Sequence, residues 1–459
     1  MLDQLFEFIE ASPSPYHAAA AALDRLVASG LVEVGRDDPW NELEPEIGWA
    51  TRDGGTVVAV RAAAHVDPNR LRFSVIGAHT DSPNLRLRPQ PDSGAYDYRQ
   101  LGVEVYGGVL LNSWLDRDLG LSGRVTVFNS DRLSDRSRSL FDDEYQHTHF
   151  PFWSDADEDR TLTSTAPRTV LWRCDRALLR VPQLAIHLDR EVNDGLKLDR
   201  QQHMTPVWGL GEPSADGFRQ FLAGELDVEP DAVLAWDVMA HDLCPPARLG
   251  RDGEMYAAGR IDNLASCHAA VEALVGLDAA PDDTAAVVVL FDHEEIGSDS
   301  ATGAGSPILA DALERIAQSL GADREQYLRA VARSLCVSAD GAHAVHPNYP
   351  ERHEPGHLPL LNGGPVIKTN VNVRYATDAA TSARFVSACN AAGVPHQIYS
   401  HRGNLPCGST IGPITASRLG MSVVDVGSPQ LSMHSARELG GSDDPALLTA
   451  ALGAFLAES

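Results

Sequence analysis

The stretch AAVVVLFDHEEIGS, residues 285–298, joins an apolar run directly to a cluster of charged side chains. Its first seven residues are apolar and three of them are valine, which predicts a strand buried on both faces in the middle of a largely parallel sheet. The acidic cluster then follows the carboxyl end of that strand, where open α/β sheets bind their ligands. We therefore expect a functional site around Glu294 and Glu295.

Glu294 and Glu295 are adjacent, and on an extended chain adjacent side chains point in opposite directions. One carboxylate would then hold a metal ion while the other handles a proton. The stretch alone is equally compatible with a solvated acidic turn that follows a core strand. The rest of the chain decides between these two interpretations.

Strands and helices alternate on both sides of this stretch. Apolar runs predict strands at 57–60, 73–76, 335–337 and 423–426, and helical spacing predicts helices at 261–277, 307–320, 377–392 and 445–457. This alternation is typical of an α/β domain in which helices flank a mostly parallel, mixed sheet.

Residues 92–235 interrupt the alternation. β-leaning pieces such as GVEVYGGVLLNSW (102–114) are separated by polar segments, and residues 131–168 contain so few apolar side chains that we interpret them as mobile loops. The sequence therefore predicts an α/β domain formed by residues 1–91 and 236–459, with a β-rich domain inserted at 92–235.

Composition restricts the class of partner and the compartment. The chain has 37 Lys+Arg against 64 Asp+Glu, a formal net charge of −27, so we expect neither a nucleic-acid backbone nor an anionic membrane as a partner. No apolar run approaches the ~20 residues of a membrane-spanning helix, and the amino terminus lacks a signal-peptide pattern. Six cysteines without C-x-x-C spacing fit a reducing compartment. We expect a soluble, cytoplasmic protein.

Imidazole and carboxylate side chains recur where predicted strands end or in glycine-rich loops. They are His79, Asp81, Asp262, Glu294, Glu295, Asp340, His343 and His434. Taken singly, each has an ordinary structural explanation: a histidine beside a strand is often a hydrogen-bonded core residue, Asp262 could cap the helix after it, and His434 could start a helix. Taken together, they include five ligands of the types His, Asp, Asp, Glu and His, which suit zinc, manganese or cobalt.

Two divalent ions about 4 Å apart need a shared ligand, and a carboxylate can bridge them. Asp262, in GRIDNLAS (259–266), is the best candidate for this bridge. A metal-bridging water would then attack a carbonyl, and a carboxylate that holds no metal would accept its proton and pass it to the leaving amine. We assign that general-base role to Glu294, metal binding to Glu295, and the orientation of His79 to Asp81.

Seven stretches of the chain carry a resemblance to a known family. They are GAHTDSPNLRLRP (77–89), LAIHLDREVN (184–193), GRIDNLASCHA (259–269), FDHEEIGS (291–298), SADGAHAVHPNYPERH (338–353), GPVIKTNVNVRY (364–375) and GSPQLSMHSARE (427–438). In this order they resemble the motifs of the aspartyl aminopeptidase family, whose members are co-catalytic zinc exopeptidases. The resemblance runs from about residue 77 to the end of the chain, and no ligand position is replaced.

The resemblance implies two zinc sites that share one ligand. The ligands of one site would be His79 and Asp340, those of the other Glu295 and His434, and the bridge Asp262. By the resemblance, Glu294 would again be the general base, and Asp81 would again orient His79.

The resemblance also assigns substrate-binding positions. His343 and Lys368 would lie near the metals, where they suit an acidic side chain on the first substrate residue or a developing oxyanion. The inserted domain would serve dimerisation, His187 would reach the active site of a neighbouring subunit, and the subunits would form a tetrahedral dodecamer. A surface lysine and a structural histidine are the alternatives for Lys368 and His187.

The sequence therefore predicts a dinuclear metalloaminopeptidase that removes amino-terminal residues, preferentially Asp or Glu, from peptides. Zinc is the first expectation for the metal, and manganese and cobalt also suit the ligands. Three alternatives stay open: an aminopeptidase of the same fold with broad or neutral preference, a metal-dependent deacylase of small amides, and a metal-binding scaffold without catalysis. The scaffold would be marked by loss of the base or a ligand, and all are present.

Overall fold

The computed structural model describes residues 1–40, 48–128 and 167–458. The chain forms two compact units: unit 1 comprises Met1–Pro83, Tyr106–Ser113 and Cys244–Ser459, and unit 2 comprises Asn84–Val105 and Trp114–Leu243. The predicted loops at 131–168 lie outside the described residues, except for the last two positions, which begin a strand instead.

The helices are α1 (Leu2–Ala11), α2 (Pro15–Ala28), α3 (Gly217–Leu226), α4 (Ile261–Val275), α5 (Ile308–Ser319), α6 (Arg324–Arg333), α7 (Ala379–Ala392), α8 (Ile411–Leu419) and α9 (Asp444–Leu456). None of these helices, within the ranges given above, is long and apolar enough to cross a membrane.

The strands are β1 (Val32–Glu33), β2 (Trp49–Asp53), β3 (Thr56–Ala62), β4 (Arg72–His79), β5 (Asn84–Ala95), β6 (Tyr98–Tyr106), β7 (Leu119–Phe128), β8 (Pro167–Leu179), β9 (Val207–Leu210), β10 (Val233–Asp242), β11 (Ala247–Leu249), β12 (Met255–Ala258), β13 (Thr284–Phe291), β14 (Leu335–Ala339), β15 (Ala342–His343), β16 (Val366–Thr369), β17 (Gln397–Ser400), β18 (Ser422–Gly427), β19 (Pro429–Leu431) and β20 (Glu438–Gly441).

The main sheet of unit 1 has the strand order β1-β2-β3-β13-β4-β14-β18-β16-β17. The inner strands β13, β4, β14 and β18 run parallel to one another, whereas β3 and β16 pair antiparallel with their inner neighbours. Every residue of β13 is buried, as its apolar run predicts. The predicted α/β class with a mostly parallel, mixed sheet is confirmed.

Helices cover both faces of this sheet. Val288 and Leu290 of β13 pack into one core with residues of α1, α2, α4 and α9, whereas Val287 and Val289 pack into another with residues of α5 and α6. Burial of apolar surface contributes roughly 25 cal/mol per Å² on each face. The carboxyl end of β13 is therefore held from both sides.

The carboxyl ends of β13, β4 and β14 meet at one edge of the sheet. The register pairs Phe291 of β13 with His79 of β4, and β14 runs parallel to β4 on its other side. The segments that follow these three strands consequently leave the sheet side by side. This topology brings three places in the sequence to the same edge of the sheet: the residues that follow Phe291, the residues that follow His79, and Asp340.

A smaller sheet of unit 1 has the order β11-β12-β20-β19-β15. Strand β12 leads directly into the segment that carries Asp262, and the turn between β19 and β20 carries His434. Antiparallel pairing of β12 with β20 places Ala258 opposite Glu438. The segments that bear Asp262 and His434 therefore start from neighbouring strands.

Unit 2 contains a sheet of order β8-β7-β10-β5-β6-β9, in which β7 pairs antiparallel with β8 and β10. Helix α3 packs on it through aromatic contacts of Phe218 and Phe221 with Trp172, Trp208 and Trp236. These strands fit the β-rich character predicted for 92–235. The domain boundaries at 92 and 235 and the dimerisation role stay predictions.

Candidate metal centre

The five side chains predicted as ligands converge at the carboxyl edge of the main sheet of unit 1. Asp262 lies between two imidazoles: its Oδ1 is 3.5 Å from His79 Nε2 and its Oδ2 is 3.4 Å from His434 Nε2. His434 Nε2 is 3.3 Å from Glu295 Oε1, and His79 Nε2 is 3.8 Å from Asp340 Oδ1. The arrangement is two imidazole–carboxylate pairs with Asp262 contacting both.

Two carboxylate oxygens of this cluster are buried without a hydrogen bond. Asp262 Oδ1 and Glu295 Oε1 have no hydrogen-bond partner within the part of the chain that the structure describes. One ligand atom from each of His79, Asp262 and Glu295 lies within 4.8 Å of the other two. Buried carboxylate oxygens are costly unless a cation or a hydrogen bond compensates them. The imidazole nitrogens and carboxylate oxygens of the cluster therefore fit a divalent metal such as zinc.

The pKa shifts of the cluster show how strongly it attracts positive charge. Burial lowers the pKa of His79, but Asp262 and three further carboxylates outweigh burial and raise it well above its ordinary value. Burial also lowers the pKa of His434, yet the neighbouring carboxylates, Asp262 above all, raise it to about 10. The same carboxylates favour a divalent cation, because metal binding at an imidazole displaces its proton.

Asp262 does not cap the helix in which it lies. The backbone of Asp262 and Asn263 is non-helical within the first turn of α4, and a cis peptide bond joins them. The Asp262 carboxylate contacts the imidazoles of His79 and His434 instead, so the capping interpretation is wrong. His434 does not start a helix either: it lies in the turn between β19 and β20 with φ +67°.

Glu294 and Glu295 do not lie on an extended chain. His293 is left-handed, with φ +65°, and Glu294–Ile296 forms a short 3₁₀ turn. The prediction that the two side chains leave a strand in opposite directions is therefore wrong, because β13 ends before them. Their backbone holds the turn in place: the N–H groups of Glu294 and Glu295 donate to Asp81 Oδ1 and Oδ2, each at 3.1 Å.

Asp81 connects this turn to the first imidazole. Its buried carboxylate also accepts a hydrogen bond from Tyr106 Oη at 2.8 Å, and its Oδ1 lies 3.4 Å from His79 Nδ1. His79 Nδ1 is closer, at 3.0 Å, to the backbone oxygen of Asp81. Burial raises the pKa of Asp81, but these partners outweigh burial and lower it. Asp81 therefore stays ionised. The sequence predicts its contact with His79, but not its hydrogen bonds to the backbone N–H groups of the Glu294–Glu295 turn.

The Glu294 side chain lies close enough to the proposed ligands to interact with them electrostatically, but its carboxylate is not bonded to them. It is half-buried, and its carboxylate has no hydrogen-bond or ion-pair partner among the residues at 1–40, 48–128 and 167–458. Burial raises the pKa of Glu294 to about 8, with nearby carboxylates adding to the effect and His79 opposing it. An unengaged carboxylate with a raised pKa is suited to taking up a proton.

Residues 106–113 contact the ligand cluster through their backbone. His434 Nδ1 donates to Gly108 O at 3.0 Å, which leaves Nε2 facing the other ligands. An added Cβ would lie 3.1 Å from Glu295 Cβ at Gly107 and 3.0 Å from His434 Nδ1 at Gly108. The two glycines thus let the chain pass directly against the ligands. The stretch GVEVYGG is predicted above only as β-leaning; its glycine pair was the available signal of close backbone approach.

The substrate-binding candidates of unit 1 lie near Asp340. Lys368 is fully buried, and its Nζ donates to Asp340 O at 3.0 Å and to Gly341 O at 3.1 Å. The ring of His343 lies 6.0 Å from that of Tyr399, centroid to centroid. Burial, followed by the charge of Lys368, lowers the pKa of His343 to about 4. His343 is therefore neutral at neutral pH.

His187 belongs to unit 2, whereas the other predicted site residues belong to unit 1. It is exposed and lies between two exposed apolar side chains, Ile186 and Leu188. Its predicted role depends on a neighbouring subunit and stays a prediction.

An α/β sheet with such a donor cluster at its carboxyl edge is typical of metal-dependent hydrolases. The family described as aminopeptidase I zinc metalloprotease (M18) matches residues 8–143 and 164–456. A protein of Streptomyces coelicolor named probable M18 family aminopeptidase 2 is 48% identical over 462 residues, which cover 99% of this chain and 97% of that protein. This chain belongs to the M18 family of zinc metalloprotease aminopeptidases.

Solved structures share the fold. A chain in the structure titled "Cryo-EM structure of the Ape4 and Nbr1 complex" superposes with a TM-score of 0.88 at 33% identity and covers 99% of this chain and 85% of its own. A chain of the S. cerevisiae mApe1 dodecamer structure superposes with a TM-score of 0.80 at 23% identity, and the match covers 99% of this chain and 95% of that chain. The predicted fold type is confirmed.

Tyr106→Phe removes the hydroxyl that donates to Asp81 and leaves the ring in place. We expect metal affinity, measured by competition with a chelator, to fall about tenfold, because groups that orient metal ligands contribute roughly 10–100-fold and Asp81 keeps two N–H donors. Tyr98→Phe, at the exposed end of the same strand, should keep wild-type affinity. Equal affinities of the two variants would show that the hydroxyl does not support the ligand geometry.

Proposed function

We propose that this chain is a dinuclear metalloaminopeptidase that releases amino-terminal residues, Asp and Glu in preference to others, from peptides. The observation that supports this proposal is the division of the acidic groups into two kinds. Carboxylate oxygens of Asp262, Asp340 and Glu295 lie 3.3–3.8 Å from the Nε2 atoms of the two imidazoles. The carboxylate of Glu294 is unengaged among the described residues. Hydrolysis of an amide by a two-metal site uses such ligands together with a separate proton acceptor.

The two imidazole–carboxylate pairs define how two ions would be held. His79 with Asp340 would hold one, His434 with Glu295 would hold the other, and Asp262 would be shared. When bound, divalent ions supply Lewis acidity toward a carbonyl oxygen and toward water. Zinc follows from the family, and manganese and cobalt suit the same donors.

The residues of the chain itself carry the proton and position the substrate. A carboxylate oxygen of Glu294 would accept a proton from the attacking water and donate it to the leaving amine. Asp81 Oδ1 accepts the backbone N–H of Glu294 at 3.1 Å, which restricts the positions that the Glu294 carboxylate can reach. The acidic ligand set attracts the protonated amino terminus of a peptide, which favours removal of the first residue.

Glu294→Gln tests the assignment of the base. We expect kcat to fall by roughly 10²–10⁴-fold, the usual contribution of general acid–base catalysis, with metal content unchanged, since Glu294 is not a proposed ligand. Glu325→Gln, an exposed glutamate of α6, should keep wild-type turnover and serves as the control. Hydrolysis retained by Glu294→Gln at unchanged metal content would contradict the assignment.

The preference for acidic residues rests on Lys368. The sequence has only two lysines, Lys197 and Lys368, and the second is buried next to a proposed ligand. Its ammonium group already donates to two backbone carbonyls, those of Asp340 and Gly341. That engagement favours a second candidate, an aminopeptidase of broad or neutral preference in which Lys368 only supports the Asp340 segment.

Rates with aspartyl, glutamyl and leucyl amides distinguish the two candidates. We expect kcat/KM to be higher for the acidic substrates, and Lys368→Met to reduce this preference about 10–100-fold, since a hydrogen bond to a charged group contributes about 1.5–3 kcal/mol. Lys197→Met, an exposed lysine of unit 2, should leave the preference unchanged. Faster cleavage of the leucyl amide by the unmodified protein would refute the acidic preference and leave the aminopeptidase class intact.

We also propose that the active form is a homo-oligomer, a tetrahedral dodecamer built from dimers. The S. cerevisiae mApe1 structure, which shares the fold, is a dodecamer. In unit 2, the exposed side chains of Leu184, Ile186 and Leu188 flank His187 in sequence and are apolar, as are the surfaces that protein interfaces cover. In the assembly His187 would reach the site of a neighbouring subunit. Sedimentation as a fully active monomer would contradict this proposal.

A further inference from the structure

Glu438 is a buried carboxylate to which the sequence analysis assigns no role. Its side chain belongs to a residue that is only 2% exposed, at the start of β20. Its Oε2 accepts a hydrogen bond from the backbone N–H of Asp262 at 3.0 Å, and its Oε1 accepts one from the backbone N–H of His434 at 2.7 Å. One carboxylate thus holds the main chains of two proposed ligands that lie far apart in sequence.

The small sheet fixes the position of this carboxylate. Glu438 pairs with Ala258, so its side chain starts from the strand beside the one that leads to Asp262. Gln430 Nε2, on the adjacent strand β19, lies 3.5 Å from Glu438 Oε1. Because each oxygen is bound to a different segment, rotation of the carboxylate would break both bonds. A shift of either segment alone would therefore stretch its hydrogen bond to this carboxylate.

Neither segment has regular secondary structure at the ligand to replace these bonds. Asp262 has non-helical φ and ψ angles, so its N–H is not part of the helical ladder of α4. His434 lies in a turn, where its carbonyl accepts from Leu110 N at 3.1 Å and its ring donates to Gly108 O. Without Glu438, the two N–H groups would be buried without their acceptor, and each segment would be free to adjust alone.

We propose that Glu438 is a positioning residue that couples Asp262 to His434 and thereby sets the spacing of the metal ligands. It acts through the two main chains, since its own oxygens are occupied by their N–H groups. The inference rests on the proposed function, because it assigns a purpose to Glu438 only if Asp262 and His434 bind metal. It adds a residue that determines metal affinity without being a ligand.

The test compares Glu438→Gln with Asp444→Asn in the full-length protein. Glutamine keeps the size of the side chain but replaces one acceptor oxygen by an NH₂ group, which cannot accept the second N–H. Asp444 is a matched control: it is buried and also accepts two backbone N–H groups, from Asn362 at 2.8 Å and Gly364 at 3.2 Å, and neither of these residues is a proposed ligand.

We expect Glu438→Gln to bind Zn²⁺ roughly 10–100-fold more weakly than the unmodified protein in a chelator competition. We also expect the visible absorption spectrum of the Co²⁺-loaded variant to change, because the angle between the ligands changes. Asp444→Asn should keep both the affinity and the spectrum, even where its unfolding temperature falls as far as that of Glu438→Gln. A folded Glu438→Gln protein with unchanged affinity and spectrum would overturn the inference.

Glu438→Asp provides a second variant that keeps the charge. Its carboxylate is retracted by one methylene group and cannot reach both N–H groups, so we expect weaker Zn²⁺ binding and an altered Co²⁺ spectrum here too. If Glu438→Gln does not fold, Glu438→Asp tests the positioning role instead. Unchanged Zn²⁺ affinity in Glu438→Asp would overturn that role. Absence of metal binding in the unmodified protein would be a different failure, since it refutes the proposed function itself.

Discussion

A carboxylate buried between two imidazoles, Asp262 between His79 and His434, is the interaction on which the rest of the site depends. Burying one charge is costly, and several acidic side chains are buried here within a few ångströms of each other. Protons on the imidazoles or divalent cations can compensate that charge, and the raised pKa of His434 is one measure of the demand for it. The acidic character of this edge is thus a consequence of its ligand set.

The fold meets this demand by bringing the ends of parallel strands together. Strand β13 is buried on both faces, and its register with β4 brings the segment after Phe291 beside His79. In the smaller sheet, the pairing of β12 with β20 brings the segments of Asp262 and His434 together in the same way. Packing of the two sheets of unit 1 therefore brings the proposed ligands together at one edge.

Carboxylates near the centre fall into two groups by what they contact. Those of the proposed ligands face the Nε2 atoms of the imidazoles. Asp81, which also lies 3.4 Å from His79 Nδ1, and Glu438 accept backbone N–H groups from the segments that carry the proposed ligands and Glu294. Such bonds hold turns that have no helical or strand ladder of their own. At Gly107 and Gly108 an added Cβ would lie 3.1 Å from Glu295 and 3.0 Å from His434, which is closer than ordinary van der Waals contact.

Much of the fold and of the ligand cluster is predictable from the sequence, because both depend on local patterns. The apolar run of β13 marks the buried strand, and imidazole and carboxylate side chains after strand ends mark the edge where they meet. The conformation at Glu294 was predicted wrongly, because the residue types that follow the strand are compatible with both an extended chain and a 3₁₀ turn. The contacts of Tyr106 and Glu438 join residues distant in sequence, and no periodicity or spacing signals them.

The proposed metal centre is tested by metal content and hydrolysis of an aspartyl amide, both measured on one purified sample before and after chelation. We expect about two divalent ions per chain, loss of hydrolysis when they are removed, and its return when zinc, manganese or cobalt is added. A folded protein that binds no metal, or that hydrolyses the amide at full rate after complete removal of metal, would contradict the account.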